Sequence, residues 1–181
     1  MTADIIKIGI PGAAGRMGGM IIREIARHDD MVLVAATDRP GSDAIGQDSG
    51  LLSGIGATDV LVSDDPATLF ALADVVIDFS SPQASVGHAA LAREHGTSLV
   101  IGTTGLTPAD EADLAAAADK AALVYCANTS VGVTLLTQLV EQMAAQLTSG
   151  WDIEILETHH HNKVDAPSGT ALALGRAAAR G

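Results

Sequence analysis

The chain has 181 residues, 48% of them hydrophobic, and a mean hydropathy of +0.30, enough for one large domain or a domain with a small partner and too apolar for wholesale disorder. Ten Lys and Arg against 22 Asp and Glu give a net charge of −12, which repels a phosphate backbone or an anionic leaflet over most of the surface. The four aromatics, Phe70, Phe79, Tyr125 and Trp151, are too few for a base-stacking platform, so nucleic acid and membrane are not expected partners. A lone Cys126 precludes an intramolecular disulfide, the first residues lack a basic leader and a cleavage site, and no apolar run approaches the roughly 20 residues of a membrane helix. The expected setting is the cytoplasm.

Short β-branched runs alternate with alanine-rich, charge-flecked segments, the rhythm of a parallel sheet covered by helices. Strands are predicted at 5–10, 31–37, 75–79, 98–102 and 123–126, with a short strand at 60–62. A first helix is predicted over 19–27. Asp65-Pro66, Ser81-Pro82 and Thr107-Pro108 each set a capping side chain before a proline at the first helical position, with Asp110 in the first turn of the third helix and Gly96 as the stop of the second. The glycine-rich stretch 41–56 has little periodicity and reads as a surface loop. Near Asn128 the rhythm changes to a helix over about 131–147, a strand at 152–158, a polar loop and a final helix. The fold expected is α/β, a Rossmann-type doubly wound parallel sheet over 1–128 followed by a second, incomplete α+β substrate domain over 129–181.

The first predicted strand runs into Gly12-Ala13-Ala14-Gly15-Arg16-Met17-Gly18, and the second ends at Asp38, twenty residues beyond Gly18. Glycines at such a turn let the backbone approach a pyrophosphate, whose charge meets the amides of a helix N-terminus, while the acid reaches the adenosine ribose. The spacing is Gly-x-x-Gly-x-x-Gly rather than Gly-x-Gly-x-x-Gly, and a ligand-free strand-to-helix turn is the competing reading. Arg39 can pair with a 2′-phosphate where Asp38 favours a free ribose, so NADH and NADPH are both expected cofactors; a solvated surface arginine is the alternative. Ser80-Ser81 and Gly102-Thr103-Thr104-Gly105 follow strands, where an open parallel sheet binds ligands, and can serve a nicotinamide or merely turn the chain.

Three of six histidines and one of three lysines gather in Glu157-Thr-His159-His160-His161-Asn-Lys163-Val-Asp-Ala-Pro167-Ser168-Gly169-Thr170. In an extended segment alternate histidines point to opposite sides, so no metal site is expected. Ser168-Gly169-Thr170 after Pro167 reads as a capped helix start whose amides, with Lys163, suit a carboxylate, and a nearby histidine can deliver a proton. A plain polar loop with a cap is the other reading. Cys126 is expected to be a small buried residue rather than a nucleophile.

These residues, with Ile101-Gly-Thr-Thr-Gly105, Asn128-Thr-Ser-Val-Gly132 and above all the segment from Glu157 to Ala171, resemble the 4-hydroxy-tetrahydrodipicolinate reductase (dihydrodipicolinate reductase) family of lysine biosynthesis, over 5–175. The resemblance implies NADH- or NADPH-dependent reduction of (2S,4S)-4-hydroxy-2,3,4,5-tetrahydrodipicolinate, a cyclic dicarboxylate, to tetrahydrodipicolinate with loss of water. It implies His159 as proton donor or acceptor and Lys163 as proton donor. His160, Gly169 and Thr170 would hold the substrate. The cofactor would be lined by Gly12, Ala13, Ala14, Gly15, Arg16, Met17, Asp38, Arg39, Gly102, Thr103, Thr104, Cys126, Ala127, Asn128 and Thr129. Thr129 stands where family members often carry an aromatic. Family chains form homotetramers and continue well past Gly181, so the chain is expected to be a fragment that binds dinucleotide but turns over poorly. A non-catalytic dinucleotide-binding module and another Rossmann amino-acid dehydrogenase are the alternatives.

Overall fold

The structure, a computed structural model, describes residues 5–126, 128–147, 150–159, 161 and 166–181. It divides into two compact units, 1–125 and 126–181. In the first, β1 (Ile6–Pro11), α1 (Arg16–Ile25), β2 (Met31–Thr37), α2 (Ser49–Ser53), β3 (Val62–Ser63), α3 (Pro66–Leu72), β4 (Val75–Asp78), α4 (Pro82–His95), β5 (Ser98–Ile101), α5 (Pro108–Ala117) and β6 (Leu123–Tyr125) follow one another. The six strands form one parallel sheet in the order β3-β2-β1-β4-β5-β6. The order reverses between β1 and β4, the place where a doubly wound sheet opens a crevice at its carboxyl edge.

Alternation along β1 sends Ile8 and Ile10 into a core shared with Ile22 and Ile25 of α1, Leu33 and Ala36 of β2 and Val62. Gly9, between them, faces α3, and a Cβ there would lie 2.8 Å from Leu69 Cδ2. Leu69 and Phe70 join Val76, Ala89, Leu99, Ile101 and Leu114 in a second core. The sheet is therefore covered on both faces, as its runs of apolar residues require.

The proline-led helix starts are found where the side chains predict them. Asp65 Oδ1 accepts from the Ala67 and Thr68 amides at 3.0 and 3.2 Å, Ser81 Oγ from Ala84 at 3.4 Å, and Thr107 and Asp110 form a reciprocal capping box. Gly96 ends α4 at φ 70°. Two expectations differ. Inside the stretch read as a loop, α2 is capped by Asp48, whose carboxylate also gathers the distant Thr58 and Asp59 amides, and α1 begins at Arg16, directly after the glycine turn, rather than at 19.

The second unit holds α6 (Val131–Gln146), capped by Ser130, and α7 (Gly169–Arg180), capped by Ser168, packed on each other and tied by a 2.7 Å bond from Arg180 Nη2 to Glu141 Oε2. The strand expected at 152–158 is not formed: among the described residues nothing runs beside it to supply a ladder, and Ile153 and Leu156 are exposed. Among the described residues no helix is long and apolar enough to cross a membrane.

Glycine spacing makes a paired prediction. A Cβ at Gly18 would lie 2.3 Å from the Gly12 carbonyl oxygen, whereas one at Gly87, within α4, meets nothing within 4 Å. In urea unfolding, Gly18→Ala is expected to destabilise by about 1–3 kcal/mol or more through overpacking, and Gly87→Ala to stabilise by roughly 0.5–1 kcal/mol through helix propensity.

Candidate functional site

At the crevice beside β1 and β4 lies a cavity of about 460 Å³ lined by Gly12 and Gly15 of the glycine turn, Thr37 at the end of β2 with Asp38 and Arg39 after it, Phe79, Ser80 and Ser81 after β4, and Ala84 and His88 of α4. Gly12 has φ 66°, and a Cβ at Gly15 would approach its carbonyl oxygen to 3.0 Å. The turn is thus bare backbone folded tightly against α1. Gly15 caps α1 without a side-chain bond, and no acidic residue occupies the first turn, so the helix amides and dipole face the crevice unmet. A cradle that only glycine can build, ending at an uncapped helix, fits a dinucleotide pyrophosphate.

Asp38 stands at the edge of the same turn: its Oδ2 accepts from the Ala14 amide at 3.2 Å and its Oδ1 from the Arg39 amide at 2.7 Å. Ala13, Ala14 and Arg16 line a neighbouring cavity of about 420 Å³ on the other side of Gly15. Met17 is largely exposed. Gly102 and Thr104 follow β5, half-buried, but Thr103 turns inward, where its hydroxyl accepts 2.9 Å from Ser85 Oγ in the interior. Its side chain braces α4, leaving only its backbone for a ligand. Gly102 has a steric duty: a Cβ there would lie 2.1 Å from the Phe79 ring.

The sequence reading missed a buried pair behind this crevice. Asp78, fully buried at the end of β4, meets His88 Nδ1 at 2.8 Å through Oδ2, while its Oδ1 accepts from the Ser80 amide at 2.8 Å and the Ser80 hydroxyl at 2.5 Å. Burial pushes the Asp78 carboxyl up, but the His88 hydrogen bond and charge and the two Ser80 donors outweigh it, and the group lies below the ordinary carboxylate pKa. The available signal was an aspartate closing an apolar strand and a histidine among the alanines of the next helix.

In the second unit Glu157 ties the start of α7 to His159. One of its oxygens accepts from the Ser168 amide at 2.7 Å, the other from the Ser168 hydroxyl, and the latter oxygen lies 3.4 Å from His159 Nδ1. The start of α7 therefore already holds one carboxylate, and the Gly169 and Thr170 amides follow without an acceptor among the described residues. Cys126 is half-buried rather than buried, Asn128 Oδ1 accepts from the Ser130 amide at 2.8 Å, and Thr129 is exposed. Ala127, His160 and Lys163 lie outside the described residues.

Comparison with known proteins covers both units. The family model for the N-terminus of dihydrodipicolinate reductase matches residues 6–129, and that for its C-terminus matches 132–181. The chain belongs to the dihydrodipicolinate reductase family. It is 51% identical to the 4-hydroxy-tetrahydrodipicolinate reductase of Dinoroseobacter shibae over 99% of its own length and 66% of that protein, and 52% identical to that of Allorhizobium ampelinum over 97% and 66%. It thus spans just under two thirds of the length of these relatives. A dipicolinate-bound dihydrodipicolinate reductase from Paenisporosarcina sp. TG-14 superposes with a TM-score of 0.72 at 27% identity, covering 97% of this chain and 66% of that one. An amine dehydrogenase from Mycobacterium smegmatis, at 22% identity and a TM-score of 0.59 over 77% of this chain and 44% of that one, shares the fold.

The Asp78 geometry implies a pH dependence. A carboxyl whose pKa is depressed on folding contributes stability that is complete above its unfolded value of about 3.9 and is lost as pH falls through the folded value. Asp78→Asn is expected to lower stability at pH 7 by about 1–3 kcal/mol and to flatten the loss of stability below about pH 4 relative to the unaltered chain. Urea titrations of both proteins from neutral to acid pH measure this directly.

Proposed function

We propose that the protein is a cytoplasmic NADH- or NADPH-dependent reductase acting on 4-hydroxy-tetrahydrodipicolinate in lysine biosynthesis, giving tetrahydrodipicolinate and water. The observation that carries the reading is the presence, in one chain of this family, of both a bare glycine cradle at the sheet's switch point and a histidine-bearing segment before α7. The bound nicotinamide would supply a hydride. Gly12, Gly15 and the first amides of α1 hold the pyrophosphate, Asp38 the ribose hydroxyls, and Arg39 a 2′-phosphate where one is present. Gly102, Thr104 and the residues from Cys126 to Thr129 complete the cofactor contacts, Thr103 contributing backbone.

The substrate carries two carboxylates, for which the Gly169 and Thr170 amides, with His160 and Lys163, are the natural partners. Loss of water takes a proton from the ring carbon beside the hydroxyl-bearing one and puts a proton on the departing hydroxyl; reduction then adds the hydride and returns a proton to the carbon beside the hydride acceptor, so one proton is consumed overall. His159 and Lys163 are the groups assigned to these transfers. Glu157, beside Nδ1, favours the ring orientation that leaves Nε2 to the substrate.

Steady-state oxidation of NADH and NADPH with enzymatically generated substrate tests the reading. Lys163→Ala is expected to lower turnover by about 10²- to 10⁴-fold with cofactor affinity nearly unchanged. Arg39→Ala is expected to weaken NADPH much more than NADH, since only NADPH carries the extra phosphate; equal losses for both would reject the role of Arg39.

A further inference from the structure

We propose that His88, acting through Asp78, is a positioning residue that holds the Phe79–Ser81 turn at the width a dinucleotide needs; the inference rests on the cofactor reading above. The contacts run without a gap from the interior to the crevice. His88 lies in α4, its ring centroid 5.7 Å from that of Phe70, and forms part of the cavity wall. Its Nδ1 meets Asp78 Oδ2, and the other Asp78 oxygen takes both the amide and the hydroxyl of Ser80. Ser80 in turn faces the glycine turn, its Cβ and Cα lying 3.6 and 3.8 Å from where a Gly12 side chain would begin. The Asp78 carbonyl also accepts from Gly102 at 2.9 Å, and Ser85, one turn before His88 on the same buried face of α4, holds Thr103. One helix face therefore fixes the turns after β4 and β5 relative to each other.

Chemistry favours positioning over bulk stability as the purpose of this pair. A buried ion pair gains little over well-packed apolar residues of the same volume, because desolvation offsets the attraction. What an apolar pair could not do is accept two bonds from Ser80. Preorganised donors and a fixed crevice raise affinity by removing the cost of ordering the turn on binding. The geometry also gives both Asp78 oxygens hydrogen-bond partners, so that no unsatisfied carboxylate stands behind the crevice.

Calorimetric titration with NADH and with NADPH, alongside thermal melting and amide exchange at Ser80, tests this on the unaltered chain, His88→Asn and His88→Leu. Asn places an amide near the position of Nδ1 and keeps the bond to Asp78; Leu removes it. The expected result is a Kd within about threefold of the unaltered chain for Asn and about tenfold or more weaker for Leu, with faster exchange of the Ser80 amide in the Leu variant alone. A folded His88→Leu that binds as the unaltered chain does, or an Asn variant as weak as Leu, overturns the proposal. If His88→Leu does not fold, His88→Gln, whose amide sits toward the Nε2 end and misses Asp78, takes its place with the same two outcomes. Absence of NADH and NADPH binding by the unaltered chain overturns the cofactor reading and this inference with it; normal binding with no response to the variants overturns this inference alone.

Discussion

The close approach of α1 to the end of β1 is the constraint on which the crevice depends. A helix following a strand can aim its amides at a ligand only if the connecting backbone folds beneath it without side chains in the way. Here the Gly12 carbonyl lies so near Gly18 that a single added carbon would overlap it, and Ala13 would also be struck, at 2.8 Å from its Cα. Ile22 and Ile25 of α1 then seat on Ile8 and Ile10 of β1, and their burial holds the helix at that depth. Glycine at 18 and isoleucine at 22 act together: one permits the approach and the other drives it.

Helix termini divide the labour in this acidic chain. Side chains of Asp48, Asp65, Ser81, Thr107, Ser130 and Ser168 cap the helices that follow them, while α1 starts from Gly15 with no side chain across its amides. With a net charge of −12 on the chain, attraction for a phosphate must be local. Unmet amides and the helix dipole can supply it over a few ångströms, a distance at which fixed partial charges outweigh a screened global repulsion, and Arg39 is proposed to add to it.

Features set by neighbours in sequence were legible, and features set by neighbours in space were not. Caps at Asp65, Ser81 and Thr107 act within three residues, so their side chains announce the helices. The glycine turn was legible for the same reason. By contrast, α2 is a five-residue helix organised by the reach of Asp48 to Thr58 and Asp59, which no local pattern encodes. The Asp78–His88 pair joins a strand end to a helix interior, and Thr103 is turned from the crevice by a serine eighteen residues away. Residues 152–158 have the composition of a strand, but a strand exists only beside a partner, and pattern alone does not supply one.

The segment from Glu157 to Thr170 poses an electrostatic question that the proposed substrate sharpens. Glu157 already places negative charge at the start of α7, against the Ser168 amide and hydroxyl and beside His159. A cyclic dicarboxylate brought to the Gly169 and Thr170 amides would add two more charges within a turn of it. Helix dipoles contribute only about half a charge at their termini, and Glu157 draws on that half first. A carboxylate at the Gly169 and Thr170 amides would therefore meet a helix terminus that Glu157 already draws upon, so the proposed dicarboxylate reading calls for further positive charge from side chains rather than from the helix alone.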